Sequence, residues 1–263
     1  MTRRPGRLGR VEARLPTDVP LTDPAPAAAP HARLRAAAVL GATALAWVWV
    51  LRRGDAMLNS APAFVAIWTV MMAAMMLPSQ LPGVQLFASL SAARRPFGHR
   101  PVPSVVFLAG YLAAWTALGV AVALANRFVE IPPAWRRGAV AAALLLGGAY
   151  QLTSLKAWCL GHCREPMSFF VQHWHDGVAG ALRMGGHHGL YCVGCCWGLM
   201  AALVALGMMN PAWMGVFALG ILAEKLARRG QRLAPAMGLV LLLAGALVLL
   251  GVVPVGTDAM RGM

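Results

Sequence analysis

Residues 189–209 read GLYCVGCCWGLMAALVALGMM, an apolar segment that holds three of the five cysteines of the chain. The segment is long enough to cross a bilayer as an α-helix. On a helix, Cys192, Cys195 and Cys196 occupy positions i, i+3 and i+4, so their side chains share one face. Met200 follows two turns further along the same side. Sulfur ligands grouped in this way are typical of sites for soft metals, and Cu(I) is the first candidate.

The composition places the chain among membrane proteins. Of its 263 residues, 59% are hydrophobic and 12% are charged, and the mean hydropathy is +0.64. Ordinary soluble domains carry about twice that share of charged residues. The long apolar runs therefore predict an all-α, polytopic transmembrane helix bundle with about seven spans. The net charge of +14 does not indicate nucleic-acid binding, because the arginines lie in the tail and loops, as is usual for membrane proteins.

The apolar runs also predict where each span lies. The spans cover residues 34–51, 62–77, 105–125, 138–158, 189–209, 211–227 and 235–253. Pro78 is expected to end the second span, and an Asn210-Pro211 turn is expected to precede the sixth. The loop 160–188, between the fourth and fifth spans, is the longest and is rich in histidine.

The domain organisation is simple. Residues 1–33 form a basic tail rich in proline and alanine, which is predicted to be disordered because it has too few apolar residues to form a core. Residues 34–255 are predicted to form a transmembrane helical metal-binding domain, and residues 256–263 a short tail. With a cytoplasmic N-terminus, 17 of the 23 Lys and Arg residues fall on the cytoplasmic side, which predicts this orientation in a bacterial inner membrane.

Three triplets of metal-binding residue types share the i, i+3, i+4 spacing. They are the methionine triplet (Met72, Met75 and Met76) at the end of span two, the mixed triplet (Cys159, His162 and Cys163) at the end of span four, and the cysteine triplet (Cys192, Cys195 and Cys196) at the start of span five. These span ends lie on the same side of the membrane, so the donor atoms are predicted to converge in depth. Their lateral convergence depends on helix packing.

The chemistry of the donors favours copper. Thiolate and thioether ligands select Cu(I), whereas thiolate with imidazole also suits Zn(II), which is the alternative metal. Methionine binds without losing a proton, so it brings no charge into the membrane.

Each triplet has a structural alternative. Cys159 and Cys163 are alternatively unpaired thiols that flank a helix end, and packing is the alternative for the other two triplets. Methionine fills irregular gaps in apolar cores. Gly194 and Gly198 form a small-xxx-small pair, so the cysteine triplet is also explained by a close helix approach. The shared spacing and depth of the three triplets favour metal binding over packing.

Other polar residues give weaker signals. The loop histidines are more typical of a solvated interface; they are His173, His175, His187 and His188. Glu224 and Lys225 at the end of span six are either functional or snorkel to the interface. Lys156 and Gln151, near the end of span four, are candidates for orienting a ligand or water.

The motifs in their order resemble a bacterial family of predicted metal-binding integral membrane proteins, known as a domain of unknown function. The matching motifs are MMAAMMLPS at residues 71–79, YQLTSLKAWCLGHCREP at residues 150–166, CVGCCWGLM at residues 192–200 and the Glu224-Lys225 pair. The resemblance covers about residues 60–230. It implies metal binding through Cys159, Cys163, Cys192, Cys195 and Cys196. Some members look like copper chaperones for polyphenol-oxidase-type enzymes, which implies a copper enzyme or a copper donor protein as partner.

Three functions follow as hypotheses. The first is Cu(I) handling, with the cysteine triplet as primary ligands, Cys159 and Cys163 closing the site or handing metal on, and the methionine triplet as a softer relay. The second is a membrane thiol oxidoreductase that uses Cys159 and Cys163 with the cysteines of span five. The third is a non-catalytic assembly factor in which the triplets only pack helices. The sequence has no other constellation typical of catalysis, so we do not expect an enzyme.

Overall fold

The computed structural model describes residues 28–53, 60–93, 102–128 and 131–253. Helices joined by short connections make up these ranges, and no strand occurs among them, so the all-α prediction is confirmed. The helices are α1 (Ala28–Arg53), α2 (Ala61–Ala93), α3 (Ser104–Ala125), α4 (Arg136–Gln151), α5 (Ser154–Arg164), α6 (Pro166–His173), α7 (Gly177–Gly207), α8 (Pro211–Leu226) and α9 (Gly230–Leu249). A 3-10 turn, Pro133–Trp135, leads into α4.

Five of the described helices are long and apolar enough to cross a membrane, namely α1, α2, α3, α7 and α9. A sixth crossing arises if α4 and α5, which meet at a bend of 67°, form one broken span. The predicted sixth span corresponds to α8, which has 16 residues. Its length of about 24 Å is less than the hydrocarbon thickness of about 30 Å. The count of about seven spans therefore stays a prediction.

The outer helices carry large apolar side chains on their open surfaces. Leu45 of α1, Leu146 of α4 and Leu243 of α9 are each more than half exposed. Extended apolar surfaces of this kind are rare on water-soluble monomers and are suited to contact with lipid.

The two predicted tails are only partly described. Residues 1–27 lie outside the described ranges, and α1 begins at Ala28, within the segment 1–33 that was assigned to the tail. The predicted C-terminal tail, 256–263, also lies outside the described residues.

The prediction that Pro78 ends the second span is wrong, because α2 continues through it and through a second proline. A proline removes the hydrogen bond to the carbonyl four residues earlier, here that of Ala74. Trp47 Nε1 of α1 donates to this oxygen at 3.1 Å, so the freed acceptor is satisfied and the helix persists. The methionine triplet consequently lies in the interior of α2 and not at a span end.

The predicted fourth span is broken into two helices. Thr153 lies at the break between α4 and α5: its hydroxyl donates to the carbonyl of Tyr150 at 2.7 Å and accepts from the backbone N–H of Lys156 at 3.2 Å. One side chain thus closes α4 and caps α5. The resulting bend directs α5, with the mixed triplet, against α7.

The prediction of a long loop over 160–188 is wrong, because α5, α6 and the first turns of α7 occupy it. α7 begins at Gly177, so the cysteine triplet lies in the interior of this helix and not at its start. Gly185 and Gly189 support the extension, since a Cβ at either position would meet a backbone carbonyl of α3. These small residues let α7 pack directly on α3.

α7 lies at the centre of the helix packing, in contact with α3, α4, α5, α6 and α8. From Cys192 onward, its buried apolar side chains belong to one core with residues of α2, α3, α4, α5 and α8. The five cysteines and the methionine triplet are all part of this core. The fold therefore brings the sulfur atoms of three helices into one interior.

Candidate metal centre

The cysteine triplet forms a compact group of thiols on α7. The Sγ atoms of Cys192, Cys195 and Cys196 lie within 4.8 Å of one another, and each residue is at most 1% exposed. Cys195 Sγ lies 3.3 Å from Cys196 Sγ and donates to the carbonyl of Cys192 at 3.3 Å. The shared helix face therefore places three sulfur atoms at one point of the interior.

A fourth thiol reaches this group from α5. Cys163 is buried, and its Sγ lies 3.7 Å from Cys195 Sγ. We call Cys163 and the cysteine triplet the thiol cluster. All its members are free thiols, and two helices supply them.

Cys192 is flanked by a cation and a phenol. Lys225 Nζ donates to Cys192 Sγ at 2.9 Å, and the hydroxyl of Tyr111 lies 2.9 Å from the same sulfur. Lys225 is only 4% exposed, and no carboxylate of the described residues pairs with it. A buried ammonium group needs a negative partner, and a thiolate at Cys192 provides that charge.

A second buried lysine already has a carboxylate partner. Lys156 Nζ lies 2.6 Å from Glu224 Oε2, and Gln151 donates to the other carboxylate oxygen at 2.7 Å. Lys156 also donates to the carbonyl of Cys195 at 2.5 Å. Snorkelling of Glu224 and Lys225 is excluded, because both side chains are buried. The Lys156–Glu224 pair joins α5 and α8 to the backbone of α7 beside the thiol cluster.

The methionine triplet faces the same interior. Ser79 lies three, four and seven residues after its members, so it shares their face of α2. Lys225 Nζ donates to the Ser79 hydroxyl at 3.4 Å. Each methionine of the triplet is at most 2% exposed. The thioethers thus lie on the side of α2 that is directed toward Lys225 and Cys192.

Cys159 lies apart from the thiol cluster. Its Sγ is 2.8 Å from the position that a Cβ would take at Gly194. Gly194 lies about 100° around α7 from Cys195, so Cys159 contacts another side of that helix. α7 packs closely on α5 at Gly194 and on α4 at Gly198. Both glycines lie away from the helix face of the cysteine triplet.

His162 occupies an aromatic environment. Its ring stacks on Tyr191 with centroids 4.5 Å apart and lies 4.6 Å from the ring of Trp158. Its Nδ1 lies 3.0 Å from the carbonyl of Trp158. Within the described residues, the compact group of ligand atoms contains the cysteine triplet and not this imidazole.

His188 was predicted to lie in a solvated loop, but it belongs to α7 and is 1% exposed. Its ring lies 5.1 to 6.2 Å from the rings of Phe107, Tyr111 and Phe169. In the described structure its Nδ1 is buried and has no hydrogen-bond partner. His188 precedes Cys192 by four residues, a spacing that on a helix indicates a shared face. This signal in the sequence was missed because a loop was predicted at His188.

The donor set suits a soft metal. Thiolates and thioethers are the ligands that Cu(I) prefers, and thiolates also bind Zn(II). The thiol cluster has thioethers on a neighbouring helix and one ammonium group that offsets thiolate charge. A buried group of this composition can bind a metal ion.

Comparison with known proteins identifies the family. No curated protein and no solved structure matches the chain. The profile of a copper chaperone family, PpoB2, matches residues 65–248, which is more than half of the chain. The matched region contains the whole thiol cluster and the methionine triplet. The chain therefore belongs to the PpoB2 copper chaperone family.

Proposed function

We propose that the protein binds Cu(I) at the thiol cluster and delivers it for the maturation of a copper enzyme, without catalysis of its own. The observation that carries the proposal is the meeting of Cys163 of α5 with the cysteine triplet of α7. Membership of a copper chaperone family supports copper as the metal, with zinc as the alternative. A copper enzyme or a copper donor protein is the expected partner.

Each part of the site has a role in this proposal. The cysteine triplet supplies the primary ligands, which lose their protons as the metal binds. Cys163 closes the site from α5, and Lys225 balances the charge of the thiolates. The methionine triplet offers neutral ligands from which copper leaves more easily. Cys159 and His162, which lie outside the cluster, are assigned to a later transfer step.

We place the protein in the inner membrane of a bacterium, with the N-terminus in the cytoplasm and the bilayer around the bundle. The apolar helices and their exposed leucines support this location. The distribution of Lys and Arg supports the orientation.

The first prediction concerns metal content. The full-length protein, purified in detergent with reductant and without oxygen, is expected to retain copper in elemental analysis. The double variant Cys195→Ser/Cys196→Ser is expected to lose it, because two of the four clustered thiols are gone. Cys159→Ser is the matched single-cysteine variant and is expected to keep its copper. Equal copper content in the wild type and the double variant would contradict the proposal.

A thiol oxidoreductase is the second candidate, and one distance favours it. Cys163 Sγ and Cys195 Sγ are 3.7 Å apart, so a small approach would allow the 2.0 Å bond of a disulfide. A mixed disulfide trapped with a partner protein, in a preparation without copper, would favour this function. If serine at all five cysteines leaves the copper enzyme active in cells, the non-catalytic assembly factor is the better explanation.

A further inference from the structure

We propose that His173 and His187 form a second metal site, a two-imidazole capture site for Cu(I) at the surface that supplies the thiol cluster. His173 ends α6, and His187 lies on α7. Both side chains are half-buried, so they are accessible and yet held in place. The identity of the metal rests on the proposed function.

The separation of the two rings suits one shared ion. Their centroids are 5.7 Å apart and their planes are at 84°. With metal–nitrogen bonds of about 2.0–2.1 Å, two imidazoles that share an ion have centroids roughly 5 to 6.5 Å apart. Imidazole is a common copper ligand and, unlike a thiolate, brings no negative charge.

The ring of His173 is fixed by a hydrogen bond to the backbone. Its Nδ1 lies 3.1 Å from the carbonyl of Phe169, and a carbonyl can only accept, so Nδ1 carries the proton. The lone pair of a neutral ring is then on Nε2. Metal-binding histidines are commonly fixed by such a bond from their other nitrogen. The ring of Phe169 stacks on that of His173 at 5.0 Å and holds its plane.

A row of contacts leads from this pair to the thiol cluster. Phe169, which stacks on His173, also lies 5.1 Å from the ring of His188. The ring of His188 lies 6.2 Å from that of Tyr111, whose hydroxyl is 2.9 Å from Cys192 Sγ. The buried Nδ1 of His188, which has no partner in the described structure, offers a neutral ligand between the surface and the sulfur atoms.

Among the described residues, His162 and His175 do not offer the same arrangement. The Nδ1 of His162 also lies near a carbonyl, but the ring of His162 stacks on Tyr191 and lies against Trp158. His175 is exposed and close in sequence to His173, so it provides the matched control.

The test measures the rate of copper loading. Full-length protein in detergent receives Cu(I) from its bathocuproine disulfonate complex without oxygen, and the ultraviolet absorbance of the Cu(I)–thiolate bonds is followed by stopped flow. His173→Gln and His187→Gln are expected to slow loading about tenfold and to leave the final copper content unchanged. His175→Gln is expected to load like the wild type. Loading of both test variants at the wild-type rate would overturn the proposal.

A second measurement separates this site from the thiol cluster. The variant with serine at all four cluster cysteines is expected to keep weak Cu(I) binding in equilibrium titration, at the imidazole pair and at the methionine triplet, and addition of His187→Gln is expected to remove the equivalent bound by the pair. An unchanged number of weakly bound Cu(I) equivalents after that substitution would overturn the proposal. A wild type that retains no copper on purification would contradict the proposed function, and loss of one weakly bound Cu(I) equivalent with His187→Gln would still support the capture site.

Discussion

Two buried lysines lie beside the thiol cluster with different partners. Lys156 pairs with the carboxylate of Glu224, so its charge is balanced within the protein. Lys225 contacts the sulfur of Cys192 and the hydroxyl of Ser79. A charge in an apolar interior is costly unless it is paired. Lys225 therefore favours a state in which Cys192 carries negative charge, which is the state that binds a metal.

We predict that Lys225→Met weakens Cu(I) binding about 10- to 100-fold, because the thiolates lose their compensating cation. Methionine keeps much of the apolar stem of lysine, so the variant is expected to fold. Competition with a Cu(I) chelator of known affinity measures the change.

Lys156→Met is the matched substitution for this prediction. It leaves the buried carboxylate of Glu224 without its partner, and a loss of about 3–5 kcal/mol in unfolding free energy is expected. Wild-type copper affinity in Lys225→Met would contradict the role assigned to Lys225.

For single residues, the spacing in the sequence predicts which thiols share a helix face. It does not predict which thiols of different helices come into contact. The spacing of the cysteine triplet was sufficient to predict its convergence. Cys159 and Cys163 have the same relation on α5, but Cys159 meets α7 at Gly194 and Cys163 meets it at Cys195. That difference depends on how α5 lies against α7, which spacing along one helix does not contain.

The end of α5 is held against the end of α8 by the side chain of Arg164. The guanidinium of Arg164 on α5 donates to the carbonyls of Glu224, Lys225 and Ala227 at 2.5, 3.2 and 2.8 Å. The first two are among the last carbonyls of α8, which have no partner within the helix, and the third belongs to the residue that follows it. Arg164 thereby caps α8 and sets the position of Cys163 relative to Lys225.

We predict that Arg164→Ala lowers the apparent melting temperature by roughly 5 °C, since a hydrogen bond to a charged group contributes about 1.5–3 kcal/mol. Copper retention is expected to fall as well, because Cys163 and Lys225 lose their common anchor. Thermal unfolding in detergent and elemental analysis measure the two effects. Arg228→Ala is the control, because Arg228 is an exposed neighbour. A variant that melts and retains copper like the wild type would show that the cap is dispensable.

The helices were predictable from the apolar runs, but two of their boundaries depend on contacts between elements. α2 passes Pro78 because Trp47 of another helix satisfies the freed carbonyl. α7 extends toward its N-terminus because Gly185 and Gly189 pack against α3. The break at Thr153 is local, and its polar side chain within an apolar run was a readable signal. The Asn210-Pro211 start of α8 was predicted correctly, because both the cap and the proline are adjacent in sequence.

The part of the chain that the structure describes has apolar outer helix surfaces around an interior that holds thiols, two lysines and a carboxylate. This arrangement suits a protein that keeps a metal away from both lipid and water. The number of crossings decides on which side of the membrane each terminus lies. The 16 residues of α8 fall short of the usual span.

We predict that α8 crosses, which gives seven spans and places the termini on opposite sides. The connection between α8 and α9 carries Arg228 and Arg229, and such residues favour the cytoplasmic side, on which the N-terminus is also expected. A green fluorescent protein fused to the N-terminus should therefore fluoresce, and an alkaline phosphatase fused to the C-terminus should be active outside the cytoplasm. An inactive phosphatase at the C-terminus, with the N-terminal fusion fluorescent, would place both termini in the cytoplasm. In that case α8 does not cross, and the bent pair α4–α5 completes a bundle of six spans.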